Sequence, residues 1–343
     1  MLFRSEHHEV TLSPAEALAV IEQLPQLIDE PLGDSSFIPT YVVSRLARQH
    51  VKVVLSGDGG DELFGGYSTL QAHRIAGALA AVPPALWRPL GRLAARLPTS
   101  MANISADFKL KRFLKGMPYP PALRHHVWLG SAAPEEARAL LAPGLSEAIG
   151  DPDPHAAVRR HLAACPAADP LNRILYLDLK LYLEGDILPK VDRASMACGL
   201  ETRAPLLNPR LLALAARLPI NLKLRGLSRR WAFRQAVQGL LPPAILRRPK
   251  KGFNMPVAQW LRGPLRPLLS DVLSPSRLRA QGLFNPKTVD RLCQAHLAGR
   301  ADHRKILWTL LVFQLWHQRH IARPGPHALP EAALTHGRGP WPL

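Results

Sequence analysis

The chain has 343 residues, 47% of them hydrophobic, which is enough for one large domain or two smaller ones with separate cores. Its formal net charge of +18 raises the question of a nucleic-acid partner. The basic residues are spread along the whole chain, however, and the densest segments, KLKRFLKG (109–116) and RRPKKG (247–252), carry no aromatic ladder and match no nucleic-acid module. An Arg-rich composition explains most of the surplus and an anionic small ligand part of the rest, so we expect no specific nucleic-acid binding.

Membrane insertion and export are also disfavoured by the sequence. Every long apolar run is interrupted by Arg, Lys or Pro before about 18 residues, so we expect no transmembrane helix and no membrane partner. The first residues, MLFRSEHHEV, lack the features of a signal peptide. Cys165, Cys198 and Cys293 are odd in number and too widely spaced for a zinc motif or a disulfide framework. A cytoplasmic location is therefore expected.

Residues 1–70 have the pattern of a partial α/β nucleotide-binding core. Apolar residues recur at helical spacing over 14–30, with Ser13 as N-cap and Pro14 in the first turn, and again over 38–49. The apolar run VKVVL (51–55) then predicts a strand buried on both faces, as in a parallel sheet. Helix, buried strand and glycine-rich loop in this order are typical of nucleotide-binding α/β domains.

The pattern changes after residue 70. Leu- and Ala-rich segments separated by prolines predict a mostly helical region over 71–320, including helices at 171–184 and 303–320. The Pro-, Gly- and His-containing segment 321–343 is expected to be a flexible tail.

The glycine-rich loop SGDGGDELFGGY (56–67) is the strongest candidate for a functional site. Its glycines permit positive φ and close approach of a ligand to the backbone, and the loop follows the strand at the edge where open α/β sheets bind ligands. Asp58, Asp61 and Glu62 would repel a phosphate directly, so their clustering suggests Mg²⁺, which binds one or two carboxylates together with phosphate oxygens. Taken alone, GDGGDE is more typical of a glycine-rich turn with solvated acids, or of a helix capped by Asp.

The longer pattern resembles a known family, the synthetase domain of glutamine-dependent asparagine synthetases, which has the ATP-pyrophosphatase fold. The resemblance covers about residues 6–320 in the order of the family's motifs. It rests on SGDGGDELFGGY (56–67), KVDRASMACGLETRAPLLN (190–208), RRPKKGFNMPVAQWL (247–261) and HRKILWTLLVFQLW (303–316), with EHHEV (6–10) and DEP…IPTY (29–41) in addition. The implied fold is α/β, with a parallel-sheet ATP-pyrophosphatase (adenine nucleotide alpha-hydrolase-like) core followed by the mostly helical region.

The resemblance implies a two-step, ATP-dependent reaction. The side-chain carboxylate of aspartate attacks ATP to give aspartyl-AMP and pyrophosphate, and ammonia derived from glutamine then displaces AMP to give asparagine. Such chemistry needs a metal ion and cations around the triphosphate. The cofactors implied are therefore ATP and Mg²⁺.

The resemblance also assigns roles to individual residues. Asp61 matches the family's Mg²⁺-binding acid. Asp58 matches the acid that faces the acyl-adenylate, as a base or to orient a lysine, the alternative being that it stabilises the loop. Lys250 matches the lysine that stabilises charge on the intermediate, and Lys190 and Arg193 are expected to face a substrate carboxylate or phosphate. The expected nucleotide-binding residues are Ser56, Gly57, Asp58, Gly59, Gly60 and Arg193. Glu201 and Arg203 are expected to form a supporting ion pair.

Two parts of the family pattern are absent from this sequence. No glutamine-hydrolysing domain with an N-terminal catalytic cysteine precedes EHHEV, and no S-G-G-x-D-S phosphate loop is present. The segment GDSS (33–36) follows no apolar strand and is rejected as that loop. We therefore expect a fragment that is inactive by itself, whose full-length parent has a glutaminase domain and forms a homodimer. The alternatives are a family member that acts on another carboxylate and a non-catalytic scaffold.

Overall fold

Helices dominate the fold of the computed structural model, which describes residues 6–102, 104–150, 153–248, 252–253 and 255–322. The helices up to residue 163 are α1 (Pro14–Leu27), α2 (Phe37–Arg48), α3 (Gly60–Phe64), α4 (Ser68–Ala78), α5 (Pro84–Ala95), α6 (Ala106–Gly116), α7 (Pro121–Leu129), α8 (Pro134–Leu140), α9 (Pro143–Ala148) and α10 (Ala156–Ala163). Later helices are α11 (Pro170–Leu177), α12 (Leu188–Met196), α13 (Pro209–Arg217), α14 (Ile220–Lys223), α15 (Trp231–Ala236), α16 (Pro243–Leu246), α17 (Val257–Arg262), α18 (Arg266–Val272), α19 (Pro275–Gln281), α20 (Pro286–Leu297) and α21 (Arg304–His320). A π-helix spans Asp178–Ile187 and a 3₁₀ helix Pro205–Leu207.

The first two helices confirm the sequence patterns closely. Helix α1 begins with a capping box, in which the Ser13 hydroxyl accepts from the Glu16 amide at 3.2 Å and the Glu16 carboxylate accepts from the Ser13 amide at 2.9 Å. It ends at Leu27 rather than residue 30 because Ile28 adopts an extended conformation. The mostly helical character of the later chain is also confirmed, and α21 lies within the predicted 303–320.

The parallel sheet is small in the part of the chain that the structure describes. Strand β1 (Val53–Leu55) pairs in parallel with β2 (Glu201–Arg203), with Val54 opposite Thr202. A second pair, β3 (Leu224–Arg225) and β4 (Ser228–Arg229), forms a short antiparallel hairpin. These elements agree with an α/β fold in which helices predominate.

The predicted burial of β1 on both faces is wrong. Val53 is 40% exposed and Leu55 73% exposed. The physical reason is that, among the described residues, β2 is the only strand beside β1, and no second layer covers these side chains. The apolar run 51–55 therefore correctly predicted a strand, but the neighbouring elements do not bury that strand on both faces.

The largest hydrophobic core joins the two ends of the described chain. It combines apolar residues of α1 and α2 with those of α17 to α21, including Ile21, Ile38, Leu261 and Leu307, each fully buried. Helix α12 packs on α2, and α1 packs on α21. The segments that flank β1 and β2 are thus anchored to one core. No described helix has the length and apolar content needed to cross a membrane.

A π-helix continues α11 over ten residues and carries a buried hydrogen-bond relay. The Asp178 carboxylate lies 2.8 Å from His125 Nε2, and His125 Nδ1 lies 3.2 Å from His73 Nε2. All three residues are at most 5% exposed. In the tautomer that donates from His125 Nε2 to the Asp178 carboxylate, His125 Nδ1 accepts and His73 donates from Nε2. The relay ties α4 and α7 to the π-helix.

This relay predicts a loss of stability in acid. Burial and the neighbouring His125 lower the pKa of His73 to about 2. Below pH 6.5 the unfolded chain binds a proton at this histidine that the folded chain does not bind, so the free energy of unfolding falls as pH falls, by at most about 1.4 kcal/mol per pH unit. His73→Gln keeps the donor and cannot be protonated. Urea unfolding between pH 4 and 7 should show a smaller loss for H73Q than for the wild type.

The control for this measurement is His7→Gln, whose side chain is 73% exposed. It should leave the pH dependence of the unfolding free energy unchanged. Equal pH dependence in H73Q and the wild type would show that protonation of His73 does not contribute.

Candidate functional site

The glycine-rich loop turns sharply between β1 and α3. Gly59 has φ +87°, as the sequence predicted for a glycine in this loop. A side chain at Gly59 would place its Cβ 2.2 Å from Leu207, and one at Gly60 would lie 2.9 Å from Leu206. Both glycines are therefore needed for the 3₁₀ helix after β2 to pack against the turn, and their predicted contact with a nucleotide stays a prediction.

Ser56, Gly57 and Asp58 form the accessible side of the loop. The Ser56 amide donates to the Arg203 carbonyl at 2.8 Å, which fixes the loop to the end of β2. The Ser56 hydroxyl donates to the Asp58 carboxylate at 2.7 Å. Gly57 is exposed and Asp58 half-buried, so a ligand at the carboxyl end of β1 would meet these residues first.

Asp61 lies next to a cation, Arg230, that the sequence analysis did not identify. Its carboxylate is 3.6 Å from the Arg230 guanidinium and 16% exposed. A Cβ at Gly66 would be 1.6 Å from the Asp61 carboxylate, so this glycine provides the space for it. Arg230 has φ +52°, a left-handed conformation that costs a non-glycine residue about 1–2 kcal/mol.

Glu62 is buried rather than accessible beside Asp58, which corrects the expectation that three acids line one opening. It is 2% exposed and accepts a hydrogen bond of 2.5 Å from the Tyr67 hydroxyl. Burial raises its pKa above the ordinary value, and the Tyr67 hydrogen bond only partly offsets this. The helical turn of α3 directs Glu62 inwards because it is one position beyond Asp61.

Lys190 occupies a buried ion pair with the segment that the sequence analysis rejected as a phosphate loop. Its ammonium group donates to the Asp34 carboxylate and to the Ser36 hydroxyl, both at 2.8 Å, and the residue is 8% exposed. Burial alone would raise the pKa of Asp34, but the attraction and hydrogen bond of Lys190 hold that pKa below its ordinary value. In this arrangement Asp34 anchors α12 to the start of α2.

Three further polar residues surround this pair and were not among the predicted site residues. Burial and the nearby Asp34 raise the pKa of Asp186 to about 7. Burial also lowers the pKa of Lys305 to about 7, and its ammonium group donates to the Leu129 carbonyl at 2.7 Å. Tyr182 on the π-helix is influenced electrostatically by both Asp186 and Glu62. Through Tyr182 and Asp186, the π-helix thus interacts electrostatically both with Glu62 of the glycine turn and with the Lys190–Asp34 pair.

Arg193 is engaged with the DEP segment. Its guanidinium forms a fork with the Asp29 carboxylate, in which Nε and Nη2 both donate and the Nη2 contact is 2.9 Å. This hydrogen bond lowers the pKa of Asp29. The predicted role of Arg193 in binding a nucleotide stays a prediction. The expected pair of Glu201 and Arg203 is confirmed, with Arg203 Nε 2.7 Å from the Glu201 carboxylate.

Lys250 lies outside the described residues, so its distance from Asp61 is not part of the structure. The described chain contains no cluster of three His, Cys, Asp or Glu side chains that could hold a metal ion. A cavity of about 790 Å³ lies between α15 and α16 and is lined by none of the predicted site residues. A magnesium ion at the glycine turn would therefore need ligand atoms from a bound phosphate, as Mg²⁺ commonly has.

Comparison with known proteins identifies the family to which the chain belongs. Residues 2–318 match the family described as Asparagine synthase. The chain is therefore a member of the asparagine synthase family.

Sequence matches to two relatives extend over nearly the whole chain. It is 34% identical over 314 residues to the Mycobacterium tuberculosis H37Rv protein named "Putative asparagine synthetase (glutamine-hydrolyzing)", a match that covers 91% of this chain and 46% of that protein. It is 28% identical over 318 residues to "Asparagine synthetase (glutamine-hydrolyzing) 1" of Bacillus subtilis strain 168, covering 93% and 48%. The chain thus spans about half the length of these relatives.

The packing of the glycine turn predicts that Gly59 contributes strongly to stability. Gly59→Ala adds a Cβ that clashes with Leu207 in a left-handed conformation, so we expect a loss of about 2–4 kcal/mol in the free energy of unfolding. Gly57→Ala is the matched control, because no atom lies within 4 Å of its Cβ position. It should change stability by less than about 0.5 kcal/mol. Similar urea midpoints for G59A and G57A would contradict this packing.

The buried ion pair predicts a large effect of removing Lys190. Lys190→Met leaves the Asp34 carboxylate buried without its cation and should cost about 3 kcal/mol or more. The double variant Lys190→Met with Asp34→Asn should recover much of this loss, since no uncompensated charge remains at Asp34. Urea unfolding at pH 7 measures both. Lys180→Met is the control, because it breaks an exposed pair with Glu184, also 2.8 Å long, and should cost less than about 0.5 kcal/mol.

If the double variant is no more stable than Lys190→Met alone, the loss does not arise from the uncompensated carboxylate. Lys190 would then stabilise the fold mainly through the packing of its aliphatic stem.

Proposed function

We propose that this chain is the synthetase portion of a glutamine-dependent asparagine synthetase. In this proposal ATP activates the side-chain carboxylate of aspartate as aspartyl-AMP, with release of pyrophosphate, and ammonia from glutamine displaces AMP to give asparagine. The observation that carries it is the family match over residues 2–318 together with the accessible Gly57 and Asp58 of the glycine turn at the carboxyl end of β1.

The residues of the turn suit a nucleotide held with Mg²⁺. Asp58 is half-buried at the accessible side, and Asp61 supplies a carboxylate beside the Arg230 guanidinium. We assign Asp61 as a ligand of the ion and Arg230 as a cation that favours phosphate nearby. When bound, Mg²⁺ would neutralise charge on the triphosphate. Ser56, Gly57, Gly59 and Gly60 would line the nucleotide.

The acceptor would be bound and oriented by the basic side of the site. Asp58 faces the accessible end of the turn and is assigned to orient the reacting group or accept a proton from the incoming amine. Lys250, from the segment after α16, is assigned to stabilise charge that develops on the adenylate. Lys190 and Arg193 lie on α12, where their pairs with Asp34 and Asp29 hold them in place. Their assigned role is to face the carboxylate or a phosphate of the substrates.

The remainder of the reaction is assigned to a polypeptide segment outside this sequence. The chain spans 46–48% of the length of the relatives that cover most of it, and it contains no S-G-G-x-D-S loop. Exposed Val53 and Leu55 on β1 would be covered by a further strand carrying that loop. We assign the supply of ammonia to a glutaminase domain in the same parent protein and expect that parent to form a homodimer in the cytoplasm.

This division of the reaction predicts that the 343-residue chain by itself releases no AMP. With ATP, aspartate, magnesium and ammonium present, AMP should stay at the level of a no-enzyme control because the phosphate loop is lacking. In a form that carries the phosphate loop and the glutaminase domain, Lys250→Ala should abolish synthesis of asparagine and leave hydrolysis of glutamine intact. Chromatography of nucleotides and amino acids measures both.

Lys251→Ala is the matched control and should retain synthesis. AMP released by the 343-residue chain and abolished by Asp61→Ala would refute the proposed division. Unchanged synthesis in the Lys250→Ala form would show that Lys250 has no role in the mechanism. Synthesis of an amide other than asparagine would show that the acceptor is a carboxylate other than aspartate.

A further inference from the structure

Helix α5 carries a stripe of exposed leucines that the proposed function does not use. Leu86, Leu90 and Leu93 are 49%, 41% and 62% exposed, and Leu97, just after the helix, is 46% exposed. The spacing of four and three residues places Leu86, Leu90 and Leu93 on one side of the helix. Single exposed leucines are common on soluble proteins, whereas three on one helix side, continued by Leu97 just after the helix, form an apolar stripe.

The inward side of α5 is fixed by other residues, so the leucines are not a loosely packed core face. Trp87 and Ala94 are 7% and 5% exposed, and Trp87 belongs to a core cluster with Met117 and Trp128. The end of the helix is held as well, because the Lys111 ammonium group donates to the Leu97 carbonyl at 3.0 Å. The leucine stripe therefore lies beside the anchored face and is exposed.

The charged residues of α5 itself have one sign. Arg88, Arg92 and Arg96 follow each other at four-residue spacing on the same helix, and no acidic residue occurs between Ala80 and Ala106. Arg88 is close enough to Glu135 to influence its pKa. Within the described ranges, neither Arg92 nor Arg96 has an acidic partner within 4.0 Å. An apolar stripe on a helix whose polar side carries arginines is typical of helices that lie in a membrane surface.

We propose that α5 docks on an anionic phospholipid surface, with the leucines in the acyl boundary and the arginines at the headgroups. A second copy of the chain is disfavoured as the occupant, because a symmetric contact would bring arginine rows of a chain of net charge +18 together. A nucleic acid offers phosphates but no apolar phase for the leucines. This proposal revises the expectation that the chain has no membrane partner; a helix of twelve residues lies on a bilayer without spanning it.

The test is sedimentation of the 343-residue chain with vesicles of phosphatidylcholine, with and without phosphatidylglycerol. The wild type should bind the anionic vesicles and not the neutral ones, and high salt should release it. Leu90→Gln with Leu93→Gln should weaken binding at least about tenfold, as should Arg88→Gln, Arg92→Gln and Arg96→Gln combined. Thermal unfolding of each variant establishes that it is folded.

Leu227→Gln with Leu240→Gln is the matched control, because these leucines are 53% and 75% exposed elsewhere on the surface. It should bind anionic vesicles like the wild type. Equal binding to neutral vesicles, or equal loss in the control and the α5 variants, would overturn the proposal. So would a wild-type dimer in light scattering that only the α5 leucine variant dissociates, because a second copy would then cover the stripe.

Discussion

The buried pair between Lys190 and Asp34 is the interaction on which the geometry of the candidate site depends. Helix α2 leads into β1, and α12 leads into β2, so the site is built on two helix–strand units that lie side by side. The ion pair fixes the beginning of α12 against the beginning of α2, at a distance of 2.8 Å between ammonium and carboxylate. Because both helices also pack on the common core, the two strands that follow are brought together in one parallel register.

That register then determines the shape of the glycine turn. With Leu55 opposite Arg203, the Ser56 amide meets the Arg203 carbonyl, and the residues after β2 pass beneath the turn. Leu206 and Leu207 fill the space that side chains at Gly60 and Gly59 would occupy. Packing against Leu206 and Leu207 thus fixes Gly59 and Gly60, while Gly57 and Asp58 stay accessible. A ligand would meet a turn whose backbone is already ordered, which reduces the entropic cost of binding.

The sequence predicts some of these features well, and the physical reason is that they are local. A capping box, helical spacing and a glycine that needs positive φ are encoded within a few neighbouring residues, as at Ser13 and Gly59. Burial of β1 was wrong because it depends on which distant segments cover the strand. The pairs of Lys190 with Asp34 and of Arg230 with Asp61 join residues more than 150 positions apart, and nothing in either local pattern specifies the partner. The π-helix escaped detection because its apolar spacing differs little from that of an α-helix.

The two exposed apolar surfaces require different kinds of partner. Strand β1 presents apolar side chains and, among the described residues, one backbone edge without a neighbouring strand, so its partner must supply backbone hydrogen-bonding groups as well as apolar atoms. Another polypeptide segment meets both needs. In α5 the backbone groups are satisfied within the helix, and only the leucine side chains and arginines remain available to a partner. An apolar phase with an anionic boundary meets these needs without any backbone complementarity. The net positive charge of the chain says little about the candidate site. On α5 it is informative, because the arginines share a helix with an apolar stripe. A small anionic ligand bound to the arginines would leave that stripe exposed.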